Sequence, residues 1–181
     1  MSRTPESFDE FIALLQSRHH IALGGRTDKQ PGEFKQEPNR AGGTHFVAPE
    51  LVKGTLLKGF EMYGAVEPGL ARAIFMMFIV AEVHPLVDGN GRVARIMMNA
   101  ELTSRSLCRI LIPTVLRDDY LLALRALSRG NKPEPLIKVL DFAQRFSQGL
   151  PLLSYEDAVK FLTECNAFKE SDEARLRLPG G

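Results

Sequence analysis

A continuous apolar segment, Leu70–Val83, constrains the fold of this chain more than any other stretch. Its apolar side chains fall on every face of a helix rather than along one stripe, as expected for a helix surrounded by protein. The segment is too short to cross a bilayer and contains Arg72, so we expect no membrane span here. We therefore predict a central helix against which amphipathic helices pack as a bundle.

A glycine-containing loop follows this helix and leads into a second predicted helix, Val93–Leu107. The glycines at positions 89 and 91 permit a positive φ and can turn backbone N–H groups towards a common point. The N-terminus of the second helix adds unpaired N–H donors and about half a positive charge. Arg92 and Arg95 lie close to that end, where basic residues oppose the helix dipole unless an anion is bound. The pattern predicts a phosphate-binding site.

The same loop contains a candidate base and a candidate metal ligand. His84 exchanges a proton near neutral pH, because the unperturbed pKa of imidazole is about 6.5. Asp88 is a hard oxygen ligand of the type that holds Mg²⁺ together with substrate phosphates. Each residue alone would fit a surface corner between helices, but no folding requirement explains the whole set within such a short stretch. We interpret the set as a phosphate-transfer site.

The loop resembles the signature of the Fic family, H-x-F-x-[D/E]-G-N-G-R-x-x-R. Leu86 stands where the family usually has phenylalanine, and it is expected to anchor the loop in the core with less packed volume. The resemblance implies an all-α fold, a Fic-type helical bundle with a small β-hairpin flap before the signature loop. The matching positions are His84, Asp88, Gly89, Asn90, Gly91, Arg92 and Arg95.

The resemblance also implies a protein adenylyltransferase that transfers AMP from ATP to a Ser, Thr or Tyr hydroxyl of a target protein. His84 would deprotonate the hydroxyl, and Asp88 would hold Mg²⁺. The backbone of Gly89–Gly91 would cradle the phosphates. Arg92 would bind the β-phosphate and Arg95 the γ-phosphate.

The nucleotide and the direction of the reaction stay open at this point. Tyr120 matches the family position that flanks the nucleotide base, but Ser128 replaces the usual asparagine, and Tyr120 fits a half-buried helix residue equally well. Family members that use UTP, GTP or CDP-choline, or that remove AMP, share the fold. An alternative from another class is a non-catalytic nucleotide-binding module or a toxin component held by an antitoxin, although a pure binder needs neither His84 nor Asp88.

A flap hairpin is predicted before the signature. Phe34 and the segment His45–Val47 are candidates for its two arms, around the turn-forming segment Pro38–Gly43. By resemblance, the edge of the flap pairs with the backbone of the target protein. The residues assigned to target docking are Thr44, His45, Phe46 and Val47.

Fic proteins are commonly inhibited by a glutamate in a helix of pattern [S/T]-x-x-x-E-[G/N], which pairs with the second signature arginine. The segment Ser2–Glu6 fits the first five positions, but Ser7 follows it and Pro5 disfavours a helix there. We therefore expect the glutamate in a separate, antitoxin-like inhibitory protein, or in a part of the natural protein outside this sequence.

The overall organisation is predicted to be one domain, which can be a fragment of a longer protein. Its parts are an N-terminal helix and linker (1–31), the flap hairpin (32–48), the helical core (49–167) and a flexible tail (168–181). His19 and His20, near the end of the first helix, are interpreted as structural or surface residues. The net charge of +1 gives no reason to expect a nucleic acid or membrane partner. With two cysteines and no secretion signal, a cytoplasmic location is expected.

Overall fold

A computed structural model describes residues 3–178. Within this range the chain forms seven α-helices and one antiparallel pair of short strands, β1 (Arg40–Ala41) and β2 (Thr44–His45). The predicted all-α fold with a small hairpin before the signature loop is confirmed. The helices are α1 (Phe8–Leu23), α2 (Val52–Ala65), α3 (Leu70–Val83), α4 (Asn90–Ser104), α5 (Arg117–Gly130), α6 (Glu134–Gln148) and α7 (Tyr155–Glu164).

The chain divides into two compact units, Met1–Leu107 and Cys108–Gly181. The first unit contains α1–α4 and both strands, and it therefore contains the whole signature loop. The second unit contains α5–α7. The predicted division of a single domain into four parts stays a prediction.

Helix α3 is the central element of the first unit, as its apolar sequence predicts. It packs against both α2 and α4. Eight of its 14 residues are buried, including Met76, Met77 and Val80, which are completely covered. Helix α1 packs against α4 and α2, and it contributes the fully buried Phe11 and Leu15 to the same core. This packing fixes both helices that flank the signature loop.

The hairpin is shorter than predicted, and Phe34 is not one of its arms. Arg40 pairs with His45 and Ala41 pairs with Thr44 around a tight glycine turn. Phe34 instead forms an antiparallel bridge with Leu86 of the signature loop. The prediction of a Phe34 arm was wrong because a local turn pattern cannot reveal a strand partner far along the chain.

In the second unit, α5 packs against α6. The described part of the predicted tail, residues 168–178, turns back on the end of α7. There the Arg177 N–H donates to the Cys165 carbonyl (3.1 Å), and Leu176 is buried. The rest of the predicted tail, residues 179–181, lies outside the described range. Between residues 3 and 178, every helix is too short or too polar to cross a membrane.

Candidate active site

Two residues in the left-handed conformation shape the loop between α3 and α4. His84 ends α3 with φ 51° and ψ 56°, and its N–H donates to the Val80 carbonyl (3.1 Å). Gly89 precedes α4 with φ 72°. The Asn90 carboxamide closes a ring on the Leu86 backbone: its Oδ1 accepts the Leu86 N–H (2.9 Å) and its Nδ2 donates to the Leu86 carbonyl (2.8 Å). Asn90 is buried and thus holds the shape of the loop with its side chain.

These bonds explain why α4 begins at Asn90, three residues earlier than predicted. With the Asn90 side chain held by Leu86, the first helical turn forms directly after Gly89. Leu86 is completely buried, so leucine does anchor the loop in the core at this position.

The His84 imidazole is held by two contacts. The Phe46 ring stacks on it, with ring centroids 3.7 Å apart and planes 7° from parallel. The imidazole Nδ1 lies 3.3 Å from the Ala81 carbonyl. Because a carbonyl only accepts, Nδ1 carries the proton in this contact, and Nε2 keeps a lone pair for accepting one. The sequence pattern did not reveal that Phe46 lies next to the candidate base.

The surroundings of His84 favour the neutral imidazole. Burial lowers the pKa of His84, and the bond to the Ala81 carbonyl raises it. The positive charge of Lys35 lowers this pKa, and the negative charge of Asp88 raises it. Burial is the largest effect, so the net change in the pKa is downward. A neutral imidazole at neutral pH can act as a general base.

Gly89 is required for packing as well as for its backbone conformation. A Cβ at this position would lie 2.7 Å from Leu23 Cδ1, because the end of α1 presses against the loop. The preceding Asp88 is exposed, and its carboxylate Oδ1 accepts the Gly89 N–H (2.6 Å). The carboxylate is therefore accessible at the start of α4.

His19 of α1 is a second residue that the sequence pattern did not connect with the site. It is completely buried, and its Nδ1 accepts the Gly32 N–H (2.9 Å). Its Nε2 therefore carries the proton and donates to the Asp88 carbonyl (3.1 Å). Burial lowers the pKa of His19, which is consistent with a neutral ring. The predicted structural role of His19 agrees with these contacts.

The two signature arginines make different contacts. The Arg95 guanidinium lies over the first turn of α4, where its Nη1 would be 3.5 Å from a Cβ at position 91. Arg92 is exposed and donates through Nη1 to the Ala22 carbonyl at the end of α1 (3.2 Å).

The backbone of the predicted phosphate nest differs from the prediction at one position. Gly91 is in the helix and has no positive φ, so that part of the predicted nest was wrong. Helix α4 has no side-chain cap, which leaves N–H groups of its first turn for an anion.

The remaining predicted residues lie in two places. Thr44 and His45 form β2, and Phe46 and Val47 directly follow it. Tyr120 belongs to α5 in the second unit and is only 4% exposed. The assigned docking and base-contact roles of these residues stay predictions.

The residues at the loop fit a magnesium ion that is bound with substrate phosphates. From residue 3 to residue 178, no group of three or more His, Cys, Asp or Glu side chains could hold a metal by itself. Mg²⁺ in phosphate-transfer sites commonly uses one or two carboxylates together with phosphate oxygens and water. The exposed carboxylate of Asp88, beside an uncapped helix N-terminus and Arg95, has the chemistry that such an ion needs.

A family model described as Fic/DOC matches residues 10–102, just over half of the chain. The chain belongs to the Fic/DOC family. The match includes all but the first two residues of α1, whose end contacts the signature loop through His19 and Leu23.

Relatives and solved structures agree with this assignment. A Fido domain-containing protein of Dictyostelium discoideum is 30% identical over 103 residues, which is 54% of this Fic chain and 72% of that relative. The protein adenylyltransferase fic-1 of Caenorhabditis briggsae is 26% identical over 130 residues, 69% of this chain. The chain spans only 25% of the length of that adenylyltransferase.

The solved structure of Fic-1 (residues 134–508) of C. elegans has a TM-score of 0.61 at 20% identity, and covers 88% of this chain and 44% of its own. A Fic domain-containing signalling protein of Bacteroides thetaiotaomicron has a TM-score of 0.57 at 18% identity, and covers 90% of this chain and 59% of its own. At this identity, the two structures show the Fic fold.

Proposed function

We propose that this Fic domain transfers AMP from ATP to a hydroxyl group of a target protein. The observation that carries the proposal is the His84 imidazole at one end of the signature loop, whose Nδ1 is bound to the Ala81 carbonyl so that Nε2 can accept a proton. The uncapped N-terminus of α4 and the Arg95 guanidinium lie at the other end. The distant relatives named adenylyltransferases support ATP as the donor.

In this reaction His84 would accept the proton of the target hydroxyl at Nε2. The hydroxyl oxygen then attacks the α-phosphorus of ATP, a new P–O bond forms, and the bond to the bridging oxygen of the β-phosphate breaks. Pyrophosphate leaves with the electron pair of the broken bond. The Ala81 carbonyl and the Phe46 ring would keep the imidazole plane fixed during this transfer.

The phosphates would be bound by the first turn of α4. Its backbone N–H groups and positive dipole end favour an anion. Arg95 would bind the γ-phosphate from its position over that turn. Arg92 would release the Ala22 carbonyl and bind the β-phosphate in its place. Asp88 would hold Mg²⁺, which neutralises charge on the phosphates when bound.

Two protein partners belong to the proposal. The target protein would add a strand at β2 of the flap, since this sheet has only two strands within the described chain. Thr44, His45 and Val47 would then contact the target. A separate, antitoxin-like protein would supply an inhibitory glutamate that pairs with Arg95.

The proposal is tested by incubating the chain with Mg²⁺ and, separately, ATP, UTP, GTP or CDP-choline, followed by intact-mass analysis. An uninhibited enzyme of this type can modify itself, so no target protein is needed. The expected result is an added AMP with ATP. An added UMP, GMP or phosphocholine group would contradict ATP as the donor. The assignment of the transfer site would then still stand.

A further inference from the structure

Two polar residues between α1 and the hairpin, Lys35 and Asn39, hold the backbone of the signature loop. The Asn39 Nδ2 lies 3.3 Å from the His84 carbonyl and 3.0 Å from the Leu86 carbonyl and donates to both. Asn39 in turn accepts at Oδ1 from the Lys35 ammonium (2.6 Å). The backbone N–H of Lys35 donates to the Pro85 carbonyl (2.9 Å). The three consecutive carbonyls of His84, Pro85 and Leu86 are thus all bound by these two residues.

Lys35 is an unusual residue for a purely structural role. Its side chain is almost fully covered, with only 2% of the residue exposed. Within residues 3–178, Lys35 takes part in no ion pair, although burial of its ammonium opposes the charge and lowers its pKa. A buried ion without a partner of opposite charge usually destabilises a fold. Stability therefore does not explain a charged group in this position.

We propose that Lys35 and Asn39 are positioning residues for the base of the proposed transfer reaction. Asn39 fixes the backbone from which the His84 side chain extends, and the buried Lys35 ammonium holds the Asn39 carboxamide and places a like charge near the imidazole. This inference rests on the proposed function, because it assigns roles relative to His84 as the base.

Two charged side chains from different segments act on His84. Lys35 lies on the flap side and lowers the pKa of His84, whereas Asp88 in the signature loop raises it. The bond from Nδ1 to the Ala81 carbonyl is independent of Lys35. Replacing Lys35 by a neutral residue therefore removes one like charge and leaves the other contacts of the imidazole in place.

A merely structural role makes a different prediction. If Lys35 only supports the loop through Asn39, neutral substitution changes stability and leaves the protonation midpoint of His84 unchanged. The two accounts are separated by a titration of the imidazole, which needs neither nucleotide nor target.

The experiment is a pH titration of the histidine ring resonances by NMR, with His84 identified by its loss in His84→Ala. Lys35→Met has a similar length and no charge, and Lys35→Gln is a second neutral variant that can still bond to Asn39. In both neutral variants the midpoint of His84 is expected at higher pH than in the parent chain. Lys35→Arg keeps the charge and is expected to keep a lower midpoint than the neutral variants. Lys53→Met, at an exposed lysine near the start of α2, is the matched control and should titrate like the parent.

The Asn39 role is tested by transfer kinetics. Asn39→Ala should lower kcat by about 10- to 100-fold, because a misplaced base is inefficient, with a smaller change in KM. An unchanged His84 midpoint in both neutral Lys35 variants, or an unchanged kcat in Asn39→Ala, would overturn the inference. If the parent chain transfers no group from any donor, the proposed function fails, and the titration still shows whether Lys35 controls the imidazole.

Discussion

The Phe46 ring lies flat on the His84 imidazole, with 3.7 Å between the ring centroids. A residue that follows the flap strand β2 thus covers one face of the candidate base. Phe46 was assigned to target docking, and its position shows that a residue of the flap also packs against the candidate base. In the proposed reaction, the Nε2 edge of the imidazole would receive the proton of the target hydroxyl.

We expect transfer activity to fall at acidic pH. Burial lowers the pKa of His84, so the ring stays neutral to a lower pH than a free histidine. Activity should be retained near pH 7 and lost as the pH falls through the lowered pKa of the folded protein. Phe46→Ala exposes the imidazole to water, which weakens the burial effect and should move this acidic limb to higher pH.

A pH–rate profile of kcat/KM for the parent, Phe46→Ala and Phe46→Leu tests this expectation. Leucine still covers the ring face and should give an intermediate profile. An acidic limb at the same pH in all three proteins would show that Phe46 does not control the base.

The two signature glycines should respond oppositely to alanine. Gly89→Ala places a Cβ against Leu23 and forces a positive φ on a non-glycine residue. The conformation costs about 1–2 kcal/mol and the overpacking about 1–3 kcal/mol. Gly91→Ala lies in a helix with its nearest contact at 3.5 Å, so it should raise the free energy of unfolding by about 0.5–1 kcal/mol.

Urea denaturation of both variants measures the difference. Equal stability of Gly89→Ala and the parent chain would contradict the close approach of α1 to the loop.

His19 should contribute to the pH dependence of stability. Burial lowers the pKa of His19 in the folded state, so the unfolded chain takes up a proton first as the pH falls below about 6.5. The contribution of His19 to the free energy of unfolding is therefore fully present above that pH. It decreases as the pH falls towards the pKa of His19 in the folded state. His84 contributes a change of the same sign.

His19→Ala should reduce this pH dependence and also destabilise the fold, since the Gly32 N–H and the Asp88 carbonyl each lose a partner, at about 1–3 kcal/mol per group. Denaturation curves between pH 5 and pH 8, a range of roughly 1.5 units on each side of the free imidazole value, decide the point. An unchanged slope in His19→Ala would rule out this role.

Removal of Arg95 should weaken nucleotide binding more than removal of Arg92. Arg95 already lies over the first turn of α4, whereas Arg92 must exchange a bond with the Ala22 carbonyl. Loss of a charged hydrogen-bond donor costs about 1.5–3 kcal/mol, so Arg95→Ala should raise the Kd for ATP by roughly 10- to 100-fold. Calorimetry of both variants with ATP and Mg²⁺ measures this. A smaller effect at Arg95 than at Arg92 would contradict the proposed phosphate positions.

The features predicted correctly are those that depend on the order of residue types within a short segment. The apolar segment of α3 predicted its central position, and the loop composition predicted a turn that leads into a helix. The burial of Leu86 also followed from its place in the signature. These features depend on residues that are close together in the chain.

The features that sequence missed depend on contacts between distant segments. His19 reaches Asp88, Asn39 reaches the His84 carbonyl, and Phe34 pairs with Leu86. A histidine near a helix end, or an asparagine in a polar loop, has many common local explanations. Their relation to the signature loop becomes visible only in the folded structure.

The central claim is that His84 is the base of an adenylyl transfer. The most direct measurement is the intact mass of the parent chain and of His84→Ala after incubation with ATP and Mg²⁺, with ATP binding of both proteins measured by calorimetry. We predict an added AMP in the parent only, together with similar ATP affinity in the two proteins. Equal AMP transfer by His84→Ala would contradict the assignment of the base.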